Sequence, residues 1–124
     1  MGLNYTAALG MALAVLAPSA GAQAQQKYNG TWSVEVVTER GECDRAYRYP
    51  VAVQNGRVSY AGTAAFEING RVAANGAVQG SIVAPGGRGR ANVRGKLDDR
   101  WGTGTWVASG TMNCSGKWVA ERRG

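Results

Sequence analysis

The chain has 124 residues, with fourteen Lys and Arg against eight Asp and Glu, a formal charge of +6, and no histidine. That length makes one domain with a modest core. The missing histidine removes the commonest general base, the usual catalytic triads and the usual zinc and haem ligand, so nucleophilic or metal catalysis is hard to build.

An apolar run over residues 7–17 is followed by Pro18-Ser-Ala-Gly-Ala22-Gln-Ala24, with small residues at the two positions a signal peptidase reads. This pattern predicts a signal peptide over residues 1–24, cut after Ala24, and a single domain over residues 25–124. The first ten residues lack the Lys or Arg of a usual signal, and the apolar run falls short of the roughly 17 residues of a membrane-spanning helix. Every charged residue lies beyond the cut, so the whole +6 stays with the domain. A periplasmic or secreted location is the expectation, and no cysteine stands at the cut to take a lipid. In that setting the only two cysteines, Cys43 and Cys114, form a disulfide. It closes a loop of about 70 residues, for which chain-entropy models give on the order of 4 kcal/mol. A redox or metal role would require a CxxC or a nearby histidine, so neither metal nor cofactor is expected.

Nineteen glycines, regularly spaced turn signals and the lack of a helical period make the chain all-β. Residues 31–38 alternate, with Trp32, Val34 and Val36 on one face. A second strand over residues 45–54 runs into Asn55-Gly56, the positive-φ pair of a tight hairpin, and Val58 and Tyr60 share a face on the third. Pro50 interrupts the second strand, which predicts a bulge there and leaves the facing of Tyr47 and Tyr49 open. Asn69-Gly70 and Asn75-Gly76 are too close for both to be turns. The common parity of Phe66, Ile68, Gly70 and Val72 takes a fourth strand through the first pair and places the turn at residues 74–76. The fifth strand, residues 77–84, carries Val78 and Ile82 on one face and stops at Pro85-Gly-Gly87. The sixth, residues 88–97, sets Ala91, Val93, Gly95 and Leu97 against Arg88, Arg90, Asn92, Arg94 and Lys96. After a turn from Asp98 through Trp101, the seventh aligns Gly104, Trp106 and Ala108, and the last aligns Cys114, Gly116, Trp118, Ala120 and Arg122.

Eight short strands with short links predict an antiparallel up-and-down barrel, in which the first and last strands pair and no edge is left. Closure brings the end of the first strand and the start of the last to one rim, where Cys43 and Cys114 can meet. A β-sandwich of the same strands is the alternative, because the turn pattern fits both.

Gly30-Thr-Trp32 on the first strand, with Arg122 or Arg123 on the last, is similar to the calycin pattern shared by lipocalins, avidins and small bacterial metalloprotease inhibitors. The resemblance implies an Arg stacked over the Trp at the closed end, a cation–π contact, and makes Gly30, Trp32, Trp118 and Arg122 the closure residues. The domain as a whole resembles a family of short exported bacterial proteins sometimes labelled with haem utilisation or adhesion. For haem, axial ligation would fall to Tyr47, Tyr49 or Met112, and none has a second residue beside it that marks a pocket.

Strand six carries the most distinctive functional signal. Arg88, Arg90, Arg94 and Lys96 form a cationic ladder extended by Arg100, suited to polyanions, acidic protein surfaces or anionic lipid head groups, or serving only as a solvated face. Nucleic acid is not expected, because aromatic platforms are not interleaved with the cations. Trp32, Trp106 and Trp118 read as core, whereas Trp101 reads as an exposed rim contact. Asp98-Asp99 reads as a pair of solvated turn residues, and Gly86-Gly87-Arg88-Gly89 lacks the Lys-Ser/Thr of a phosphate loop. Inward positions rich in Gly and Ala fit either close backbones or spare room, and short strands favour a packed interior with at most a shallow cup at one rim. The outward faces are charged where an outer-membrane barrel needs an apolar band, so no membrane span is expected.

Together these features point to a monomeric, non-enzymatic binding barrel for an anionic or small ligand. The alternative is a protein-binding module such as a protease inhibitor or adhesion-type factor. Inhibitors of that kind use a short N-terminal trunk, whereas only Gln25-Gln-Lys-Tyr28 precedes the barrel here.

Overall fold

The computed structural model describes residues 26–110 and 113–124; the predicted signal segment and Met112 lie outside them. The strands are β1 (Gly30–Arg40), β2 (Ala46–Gln54), β3 (Arg57–Tyr60), β4 (Glu67–Val72), β5 (Ala77–Val83), β6 (Arg90–Leu97), β7 (Trp101–Ser109) and β8 (Ser115–Arg122), with a 3-10 turn at Pro85–Gly87. Each pairs antiparallel with the next, and β8 pairs with β1, so the sheet closes into a barrel. Closure excludes the sandwich, which would leave edges exposed.

Local chemistry sets the hairpins. Asn55 and Gly56 have φ of 50° and 81°, the left-handed pair that a two-residue turn needs to match strand twist. β4 runs through Asn69-Gly70 to Val72, and the β4–β5 turn follows over residues 73–76. The bulge expected at Pro50 is not there. Ser33 and Pro50 pair in unbroken register, and the register shift lies on β1 between Thr38 and Arg40, against β8. The Pro50 carbonyl accepts the Ala61 N–H at 2.9 Å, so the position of its missing N–H also faces the β3 side. The β2–β3 ladder has ended there at Val51↔Tyr60, and the proline breaks no bond. With regular register, Tyr47 and Tyr49 fall on the inward side with Val51 and Val53. Two further boundaries differ from expectation. Arg88 sits in the link before β6, not on the strand, and Trp101 opens β7 opposite Glu121.

The two barrel ends are closed by different means. At the end where β1 starts and β8 stops, Tyr28 and Trp32 are buried, and the Trp32 indole N–H donates to the Tyr28 carbonyl at 3.0 Å. Arg122 pairs with Trp32 in the β1–β8 ladder, and its guanidinium carbon lies 5.5 Å from the indole centroid. That guanidinium also donates to the carbonyls of Asp99, Lys27 and Asn29, tying the N-terminal turn and the β6–β7 turn over the Trp. A fixed planar fork suits three carbonyl acceptors. At the other end, Cys43 and Cys114 are bonded with Cα atoms 6.1 Å apart, as closure of the barrel requires.

Candidate functional site: an apolar cavity open at the disulfide end

The inward positions of β6, β7 and β8 are filled by tryptophan over glycine. The Trp118 indole covers Gly95 and Gly104, where a Cβ at Gly104 would lie 2.6 Å from Trp118 Cε2. The Trp118 and Trp106 N–H groups donate to the Arg94 and Val37 carbonyls, both at 3.1 Å. With Trp32 bonded to Tyr28, all three inward indoles spend their polar hydrogens on the wall, and only ring faces are left toward the interior.

The β2–β5 side is built differently. Gly70 and Gly80 pair across β4 and β5, and no indole covers them. Around this bare stretch of backbone lies a cavity of about 300 Å³. Val58, Ile68, Val78, Ile82 and Val93 line its middle, and Cys43, Tyr47, Phe66, Pro85 and Arg90 surround its mouth at the disulfide end. The packed interior expected from strand length is therefore corrected: indoles cover the glycines of β6 and β7, and the space left between Trp106 and Trp118 on one side and β4 and β5 on the other is a cavity. The volume matches the lower end of small-molecule sites. At about 30 Å³ per water-sized group, it takes on the order of ten non-hydrogen atoms.

Four aromatic rings gather beside the mouth. Tyr49 makes edge contacts with Phe66 and Tyr60 at 5.1 and 6.4 Å between centroids and stacks on Tyr47 at 5.8 Å. Burial pushes the Tyr49 hydroxyl up from 10.0 to about 12, with Tyr47 and Tyr60 adding to the shift. Desolvation disfavours the phenolate, so the group stays a neutral hydrogen-bonding phenol on an apolar wall. Among the described residues, Arg90 is the one charged side chain in the cavity lining.

The sequence-derived surface residues divide among three places. Arg90 lies at the cavity mouth, Arg94 and Lys96 lie on the outer face of β6, and Arg100 and Trp101 lie at the sealed end. From Arg90 to Lys96 the strand rises roughly 20 Å, so the ladder is not one contact site. Trp101 is exposed, as expected, but shares a shallow polar cleft with Asp98 and Asp99 as well as Lys96 and Arg100, which gives that end mixed charge. Sequence reading missed Tyr60 and Phe66 as mouth residues and Tyr28 as the plug. The inward parity of Phe66 was readable, but its meeting with Tyr49 depends on the β2–β3–β4 order. Of the residues considered for haem, Tyr47 and Tyr49 do line the cavity, while Met112 lies outside the described residues. Among the described residues no three His, Cys, Asp or Glu side chains cluster as metal ligands would, and no helix is long and apolar enough to cross a membrane.

No protein-family model, no curated protein and no solved structure matches the chain.

Proposed function

We propose that the protein is an exported, non-enzymatic barrel that binds a small, predominantly apolar molecule in the cavity beside β4 and β5. The observation that carries this reading is the cavity itself, walled by valine, isoleucine, aromatic rings and bare glycine backbone and open at one end. Burying apolar ligand surface yields about 25 cal/mol per Å², and the wall is already held by paired strands, so little ordering cost opposes binding. A single Arg at the mouth supplies no acid/base pair, which favours binding over catalysis. The disulfide and the small-residue motif before residue 25 support an oxidising, extracytoplasmic setting.

The test is a fluorescence titration with 1-naphthylamine, a probe of about the cavity's capacity that is uncharged at neutral pH and that the basic outer face does not attract. One probe per barrel is expected. Ala91→Phe, which projects a ring into the cavity from β6, should cut the affinity at least tenfold, whereas Val107→Ala on the outer face should not change it. Equal binding by the Ala91→Phe protein would remove the cavity as the site.

A further inference from the structure

The strand register gathers cations that the sequence keeps far apart. Arg57 on β3 lies directly opposite Arg71 on β4, Arg71 opposite Gln79 on β5, and Gln79 opposite Arg94 on β6. The three arginines are exposed, in a single line running around the outside of the barrel. They make no ion pair among the described residues. The ion pairs found there, Arg48–Glu35, Lys117–Glu39 and Arg123–Glu121, all lie on β1, β2 and β8 or directly after β8. The outward positions of β3 to β6 hold one acid, Glu67, against Arg57, Arg71, Arg94 and Lys96, with Arg90 at the mouth. Like charges directly opposite on neighbouring strands destabilise a sheet. A fold that keeps Arg57 against Arg71 is breaking a local rule of the sort that binding sites break.

We propose that this line is a binding face for a linear acidic polysaccharide. Three of the barrel's eight strand-to-strand steps separate Arg57 from Arg94. The line therefore bends through more than a third of the circumference. A flat bilayer can touch only part of such an arc, while a flexible chain can follow it. Single-stranded nucleic acid would want aromatic platforms between the cations, and the outward positions here are Ser59, Asn69, Gln79, Ser81 and Asn92. Amides and hydroxyls between charges suit sugar hydroxyls between acidic groups. Arg57 and Arg71 are one strand spacing apart and Arg71 and Arg94 two, about 5 and 10 Å, which leaves room for a neutral sugar between acidic ones. Such a chain cannot enter the cavity, so this inference stands independently of the apolar ligand.

The experiment is binding of heparin to the protein across a salt series, with Arg57→Gln, Arg71→Gln and Arg94→Gln compared with Arg48→Gln on β2, outside the line. Each variant in the line should weaken heparin binding about three- to tenfold at low salt and reduce the slope of log K against log salt by about one. Arg48→Gln should leave the slope unchanged. Arg71→Gln should melt no lower than the parent, because it removes a repulsion, so its weaker binding cannot be attributed to unfolding. Equal losses in Arg48→Gln would mean that net charge alone attracts heparin and would overturn the proposal. So would tighter binding to phosphatidylglycerol vesicles or to oligo-dT than to heparin.

Discussion

Gly104 and Gly70 are both inward-facing strand glycines, yet the space above them is used in opposite ways. Over Gly104 and its partner Gly95 lies the Trp118 ring, so the missing side chains are replaced by an indole from β8 and the wall is full. Over Gly70 and its partner Gly80 lies no indole: Val58 and the facing β4 backbone are the nearest atoms, and the cavity lies beside them. Glycine in a strand weakens it unless something approaches closely, and on the β6–β8 side the approaching group is part of the protein. On the β4–β5 side no indole makes that approach, and the cavity lies beside the glycines. A barrel of this size can thus be both well packed and hollow, because its tryptophans all sit to one side of the axis.

The difference is sharpest if the filled side is emptied. Trp118→Ala should cost about 3–5 kcal/mol, read as a fall in the denaturation midpoint, and should enlarge the cavity across the barrel. A loss under 1 kcal/mol would mean that Trp118 is not part of a tight wall.

Adding one methyl group on each side comes next in size. Gly104→Ala places a Cβ against Trp118 and the Arg94 carbonyl and should cost on the order of 1–3 kcal/mol by overpacking. At Gly70 the nearest atom to a new Cβ is Val58 Cβ at 3.2 Å, and the cavity beside it gives the valine somewhere to move. Gly70→Ala should therefore cost less than about 1 kcal/mol. Equal costs in thermal melts of the two variants would erase the distinction between the halves.

The smallest effect concerns the aromatic mouth. Tyr49 ionises near 12 in the folded chain, above its ordinary 10.0, so its neutral form favours folding. The stability it contributes is complete below pH 10 and is lost as pH climbs through 12. Tyr49→Phe should therefore show a shallower loss of stability over that window than the parent. Parallel curves would place Tyr49 in water rather than against Phe66 and Tyr60.

Much of the fold was legible because the signals that specify it are local. Period-two alternation placed Trp32, Val93 and Trp118 inward, and Asn55-Gly56 carried the geometry of its own turn. The disulfide followed from the small-residue motif before residue 25, which reads as an export signal, and from an even cysteine count. Pro50 misled because its effect depends on which neighbour its nitrogen faces, and that is a property of the β2–β3 ladder rather than of the residue. The cavity was invisible for a similar reason, since it is the difference between the volume a closed sheet encloses and the volume its side chains fill. Strand length alone underestimated the first, and Gly counts could not show which glycines lie under an indole. The line from Arg57 to Arg94 needed the register of four strands, whereas the ladder within β6 needed only its own alternation, so the nearer pattern was seen and the longer one missed.

The most direct test of the filled and empty halves is a crystal structure of the protein under xenon pressure, because apolar cavities too dry for water take up xenon. The account predicts xenon bounded by Gly70, Gly80 and Val93, and none between Trp118 and Gly104. A barrel interior without xenon, or one in which side chains from β2 to β5 occupy that space, would contradict it.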